Sequence, residues 1–166
     1  RIGTLLPKAM DAAGIDAWLT LCRENHNDPL AEHIGGENAG RPAAFLFYRD
    51  SQGFHSLVFS PLGEATALAE LALHDRVVPV AREDSAIDRV AEFIKKKQFA
   101  QIAVNSAADN PQADGLSYSQ RLALETALGP ELSGRLVSSE DLVYEWLAIK
   151  LPAEVDIMRK AAELTA

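Results

Sequence analysis

The sequence predicts an α/β domain built on a mixed β-sheet of about six strands with helices on its faces. Three observations predict it. Short apolar runs rich in Val, Ile, Phe and Leu alternate with helical patterns along most of the chain. One pair of these runs is joined by a tight hairpin signal, Asp50-Ser51-Gln52-Gly53, which imposes an antiparallel step. The later strands are separated by helix-length segments, which parallel connections require.

Taken in order, Ile2, Leu5, Leu6, Ala9, Met10 and Ala13 share a helical face, and Gly14 supplies a stop. Pro7 is tolerated in the first turn of that helix, where its missing N–H has no partner to lose. Ile15 to Cys22 reads as a strand buried on both sides. Arg23 to Pro42 is a polar stretch with Gly35, Gly36 and Gly40, longer than compact domains place between elements without a purpose.

Ala43 to Tyr48 and Phe54 to Ser60 are the two hairpin strands. Pro61 opens a helix through about Leu73, with Leu62, Ala65, Leu68, Ala69 and Ala72 facing in. Arg76 to Val80 is a strand. Asp84 or Ser85 caps the next helix, whose core face is Ile87, Val90, Ala91 and Ile94. Lys95, Lys96 and Lys97 at its end suit the helix dipole. Phe99 to Val104 is a strand, and Asn105 to Gly115 a loop. Ser117 or Ser119 opens a helix that turns Leu122, Ala123 and Leu128 inward and stops at Gly129-Pro130. Arg135 to Ser138 is the last strand.

The final stretch predicts two helices. Ser138 with Asp141 resembles a capping box, and Leu142, Val143, Trp146 and Leu147 form an apolar face that Lys150 closes. Pro152 stops this helix and begins another, in which Val155, Met158, Ala162 and Thr165 keep one face. No stop signal follows, and the sequence opens on Arg1 rather than Met. We therefore expect a piece of a longer polypeptide.

Composition narrows the function classes. Hydrophobic residues make up 48% and charged residues 24%, as in ordinary globular domains. A net charge of −8 argues against a nucleic-acid partner, which requires a basic surface. No apolar run approaches the roughly 18–20 residues of a membrane span, so no membrane partner is expected. The single Cys22 allows no internal disulfide and suits a reducing, cytoplasmic setting.

Potential chemistry collects in the Arg23–Arg41 loop. His26 and His33 with Asp28, Glu32 and Glu37 are residue types that bind divalent ions, but their spacing matches no metal motif, so no metal site is assigned. Arg23, Asn25, His26, His33 and Arg41 offer hydrogen-bond donors suited to a peptide carboxylate. No Ser nucleophile elbow or phosphate-binding glycine motif is present, and no catalytic residue is assigned. Trp18 and Trp146 read as core anchors, Cys22 as an inert core thiol, and His55 and His74 as surface residues. Asp16 is the one acid placed within a strand, whereas sheet-based nucleases gather several carboxylates around Mg²⁺.

Ile149-Lys150, Glu154-Val155 and Met158-Arg159-Lys160-Ala161-Ala162 resemble the junction between the two domains of the creatinase, aminopeptidase P and prolidase family. Leu5, Met10 and Gly14-Ile15-Asp16-Ala17 resemble the start of that family's N-terminal domain. Leu147 departs from the family pattern, which often carries Arg there, and His33-Ile34-Gly35-Gly36 stands near the place of a Tyr-Leu-Thr-Gly run.

The resemblance implies an RNase H-like sheet. It divides the chain into an N-terminal domain over 1–150 and a linker with a first helix over 151–166, leading to a catalytic domain. It also implies a non-catalytic role, in dimer assembly and in restricting access to a partner subunit's active site. Arg23, Asn25, His26, His33 and Arg41 would then line the lip. The parent would be a metal-dependent Xaa-Pro peptidase acting on proline-containing peptides as a homodimer. Two divalent ions (Mn, Co or Zn) would sit in the catalytic domain and none in this chain. The alternatives are the N-terminal domain of a creatinase-like, metal-independent C–N hydrolase, or a peptide- or histone-binding pseudo-peptidase module.

Overall fold

The computed structural model describes residues 1–165. The elements are α1 (Leu6–Ala13), β1 (Ala17–Cys22), α2 (Ala31–Ile34), β2 (Ala43–Asp50), β3 (Gly53–Pro61), α3 (Leu62–Glu70) and β4 (Arg76–Val80). There follow α4 (Ala86–Lys97), β5 (Ile102–Val104), a 3₁₀ turn (Pro111–Ala113), α5 (Tyr118–Leu128), α6 (Pro130–Ser133), β6 (Leu136–Ser138), α7 (Glu140–Ala148) and α8 (Pro152–Thr165). The strands form one six-stranded mixed sheet in the order β4-β3-β2-β1-β5-β6. Only β2 runs against its neighbours: β1–β2 and β2–β3 are antiparallel, and β1–β5, β5–β6 and β3–β4 are parallel.

Both faces of the sheet are covered, because every residue of β1 and nearly all of β2 is buried. On one face Trp18, Phe45, Phe47 and Val58 meet α1 and α7 through Leu6, Met10, Leu142, Val143 and Trp146. On the other, Leu19, Leu46, Leu57 and Ile102 meet α4 and α5 through Val90, Ile94, Leu124 and Leu128. Burying each such side chain contributes about 1.5–3 kcal/mol. Trp18 stacks on Phe47 with ring centroids 5.2 Å apart and meets Trp146 edge-on at 5.5 Å. Both tryptophans are core anchors.

The local signals act largely as read. Gly14 ends α1 in the left-handed region, and Pro7 lies in the first turn. Ser85 caps α4, its hydroxyl accepting from the Asp88 amide. Ser117 and Gln120 form a capping box on α5.

Several expectations change. Leu122 is half exposed, and α5 packs through Gln120, Leu124 and Leu128 instead. Leu62 is likewise exposed, because α3 docks through Ala65 and Leu68. Asp16 lies just before β1 and accepts from the Ala100 and Gln101 amides at 3.0 Å, fixing the approach to β5. Ser138 and Asp141 form no capping box. Ser139 is the N-cap of α7, and its hydroxyl is turned away from the helix.

Candidate functional site

The loop between β1 and β2 carries the sequence-predicted lip, and its backbone is pinned from inside. Asn27 Oδ1 accepts from the amides of Arg23 (3.0 Å) and Asp28 (2.8 Å), while its Nδ2 donates to the Gly36 carbonyl at 2.9 Å. Leu30, Ala31, Ile34 and Ala39 are buried beneath the loop. Gly36 packs its backbone on Cys22; a Cβ there would lie 2.5 Å from Sγ. The loop is therefore an ordered cover with a polar rim, and not a solvated excursion.

Below it lies a buried polar network at the carboxyl ends of β5 and β6, joined by Trp18 from β1. Asn105 Oδ1 accepts from Trp18 Nε1 and from Ser139 Oγ, both at 2.7 Å. Asn105 Nδ2 donates to Asp28 Oδ2 at 2.8 Å, and Asp28 Oδ1 accepts from the Leu30 amide at 2.9 Å. Burial pushes the Asp28 carboxyl above its ordinary range, partly opposed by the hydrogen bonds from Asn105 and the Leu30 amide. Gly115 closes the network, since a Cβ there would stand 2.1 Å from Asp28 Oδ2. One asparagine thus ties the lip loop, the 105–116 loop and α7 together. Sequence reasoning placed Asp28 among possible metal ligands and left Asn105 in a loop; no local pattern couples positions 28, 105 and 139.

The five predicted lip residues fall in three places. Arg23, Asn25 and His26 share one turn after β1, where Asn25 and His26 both adopt φ 55° and are exposed. His33 stands on α2, exposed, with its ring edge-on to Trp146 at 5.9 Å. Arg41 lies nearer α4, where its guanidinium donates to the Arg82 carbonyl at 3.2 Å. Arg23, Asn25 and His26 thus share one turn of backbone, whereas His33 stands on α2 and Arg41 follows it near Arg82. Among the described residues, no three His, Cys, Asp or Glu side chains come together as a metal site.

Cys22 is fully buried, and desolvation with the nearby charges of Asp28 and Glu37 pushes its thiol far up. An inert core thiol is the result.

His74 corrects the surface expectation. It is half-buried beside Phe45 and Phe47, and its Nε2 lies 2.9 Å from the Ile34 carbonyl, which requires that nitrogen to carry the proton. Burial holds its pKa below 6.5, against the raising effects of the Ile34 carbonyl and Asp75. The neutral ring is thus favoured in the folded state. Its contribution to stability is present above 6.5 and is lost as pH falls through the lowered native value. We expect His74→Gln to flatten the stability profile between about pH 7 and 5, as read by urea denaturation across that range. An unchanged profile would contradict the assignment. His55 is also half-buried, stacked on Tyr48 at 4.8 Å, with Nε2 2.9 Å from Asp50 Oδ1.

At the far end, α7 leads through Ile149 and Lys150 into α8. Arg1 donates to the carbonyls of Trp146 (2.6 Å) and Ile149 (3.2 Å) and pairs with Glu154. Glu154 also accepts from the Leu151 amide at 2.6 Å, fastening the first turn of α8. No residue of α8 is buried, and Ile157 and Met158 are more than half exposed.

No family model matches the sequence, and no curated protein matches it either. Solved structures do. The Xaa-Pro dipeptidase of Bacillus anthracis superposes with a TM-score of 0.59 at 19% identity, over 93% of this chain and 37% of that one. The X-Pro aminopeptidase of Thermotoga maritima MSB8 gives 0.64 at 18% identity, over 94% and 40%. The creatinase/prolidase N-terminal domain of an X-Pro dipeptidase from Streptococcus pyogenes gives 0.58 at 14% identity, over 86% of this chain and 98% of that domain. The chain thus spans less than half the length of the first two structures and nearly all of the isolated domain. With its mixed six-stranded sheet and its helices on both faces, it has the fold of the N-terminal domain found in creatinase- and prolidase-type Xaa-Pro peptidases.

Proposed function

We propose that this chain is the non-catalytic N-terminal domain of a metal-dependent Xaa-Pro peptidase. In this reading it contributes to dimer assembly in the cytoplasm and restricts which proline-containing peptides reach the active site. The observation that carries the reading is the extent of the structural likeness. It runs through 98% of an isolated N-terminal domain but only 37–40% of whole peptidases. The bare surface of α8 supports it, because an amphipathic helix with nothing buried calls for a covering partner. A catalytic domain in the same polypeptide would supply that cover.

In this reading the reaction belongs to that other domain, whose residues would hold the pair of divalent ions. The ions would there activate a water against the bond before proline. This chain's part is geometric. Arg23, Asn25 and His26 would present donors to a peptide carboxylate at the lip, and His33 and Arg41 would flank it.

Two measurements test the proposal. The purified domain is expected to release no product from Xaa-Pro peptides with added Mn²⁺, Co²⁺ or Zn²⁺, and metal-dependent turnover would overturn it. The gene downstream of the Ala166 codon is expected to encode two aspartates, a histidine and two glutamates as ligands. Their absence would favour the creatinase-like or pseudo-peptidase alternatives.

A further inference from the structure

Helix α8 is fastened to the body of the domain by one side chain. None of its described residues is buried, and none belongs to either hydrophobic cluster that covers the sheet. The amides of Glu154 and Val155 donate to the Leu151 carbonyl, within the connection itself. Among the described residues, the only hydrogen bond or ion pair that links α8 to anything before Leu151 is the one between Arg1 Nη1 and Glu154 Oε2, at 2.5 Å.

The same guanidinium holds the other side of the bend. Helix α7 ends at Ala148, and Ile149 turns extended (φ −84°, ψ 126°), so the last carbonyls of α7 lack amide partners along the helix. Arg1 Nη2 donates to the Trp146 carbonyl at 2.6 Å and Nη1 to the Ile149 carbonyl at 3.2 Å. The Arg1 side chain is only 13% exposed, so the link is shielded from solvent on its cationic side. Several donors in one rigid plane let it satisfy the negative end of α7 and the carboxylate on α8 at once. The neighbouring cation does not share this task, because Lys150 Nζ folds back onto the Leu147 carbonyl. Glu154 also accepts from the Leu151 amide, so the first turn of α8 keeps that hydrogen bond with or without Arg1. Arg1 therefore governs where α8 points, and not whether it is a helix.

We propose that Arg1 is a latch that sets the direction of α8 relative to the sheet, and that releasing it frees α8 to swing about residues 149–151 as an intact helix. This inference is independent of the peptidase reading, since it uses only contacts within this chain and none of the lip residues.

The test is a set of amide residual dipolar couplings, measured by NMR in a compressed polyacrylamide gel for the unaltered chain, Arg1→Gln and Glu154→Gln. In the unaltered chain the couplings of residues 153–164 are expected to fit the same alignment as those of the sheet. In Arg1→Gln they should fall to about half or less, because averaging over a swinging helix reduces them. Glu154→Gln keeps an acceptor for the Leu151 amide and leaves Arg1 on the α7 carbonyls, but removes the charge that strengthens the link. It should lower the same couplings to a smaller extent. Because it leaves Trp146 and α7 untouched, it also decides the question if Arg1→Gln disturbs the core. Helical α-carbon shifts over 153–164 and unchanged couplings in the sheet are expected throughout. Couplings of α8 already reduced in the unaltered chain, or undiminished in either variant, overturn the proposal. So does loss of the helical shifts in Glu154→Gln or Arg1→Gln, which would make Arg1 a cap and not a latch.

Discussion

Replacing Asn105 by Leu is expected to lower the stability of the domain by about 3–5 kcal/mol, although the side chains are similar in size. The substitution leaves the indole N–H of Trp18 and the hydroxyl of Ser139 without an acceptor, and it removes the donor that faces the Asp28 carboxylate. All four residues are essentially inaccessible, so water cannot take over these roles without the loop opening. For a domain of this size the loss corresponds to a fall in Tm of roughly 10 °C.

A pH signature separates this mechanism from ordinary packing damage. Burial already raises the Asp28 pKa above 3.8, and the hydrogen bond from Asn105 opposes that rise. A carboxyl with a raised native pKa contributes stability that is complete below its unfolded value and is lost as pH climbs through the native one. Without Asn105 the native value moves higher still. The variant should therefore lose more stability at pH 7 than near pH 4, as read by guanidinium denaturation at both. Equal losses would mean that Asn105 acts through shape alone.

Trp146→Ala is the second large effect, about 3–5 kcal/mol from cavity formation. Trp146 is wholly buried between α7 and the sheet, edge-on to Trp18, with His33 against its ring and Arg1 over it at 5.7 Å. Its removal loosens α7 and takes away the surface on which Arg1 rests while holding Glu154. Chemical denaturation of Trp146→Ala, with the milder Trp146→Phe as a folded control, measures the loss. Because Trp18 and Trp146 touch, the double variant with Trp18→Phe should lose less than the sum of the single changes. Strict additivity would show that the two rings do not share a cavity.

Some of this was legible locally. The hairpin was readable because Asp50 to Gly53 closes two β-rich runs, and β4 because five residues stand between turn signals. Ser85 and Ser117 announced their helices because a capping hydroxyl acts on an amide only a few residues away. The face of α5 was misread because it carries leucines on both sides. Gln120, Leu124 and Leu128 form the inward row, but a polar first member hid the spacing. In the candidate site, the shared turn of Arg23, Asn25 and His26 follows from their being sequence neighbours. The placement of His33 and Arg41 does not, since it depends on α2 turning the chain between them.

By itself the sequence determined an acidic α/β chain with its strands, its hairpin and the caps of α4 and α5 in place, and with an apolar stripe on its last helix. Those features depend on periodicity and on contacts a few residues apart. Only the tertiary structure decided that Asn105 joins Trp18, Asp28 and Ser139 and that His74 is held neutral against the Ile34 carbonyl. Each of these joins groups distant in sequence, and their desolvation or charge arises only when the sheet brings its strand ends and edges together.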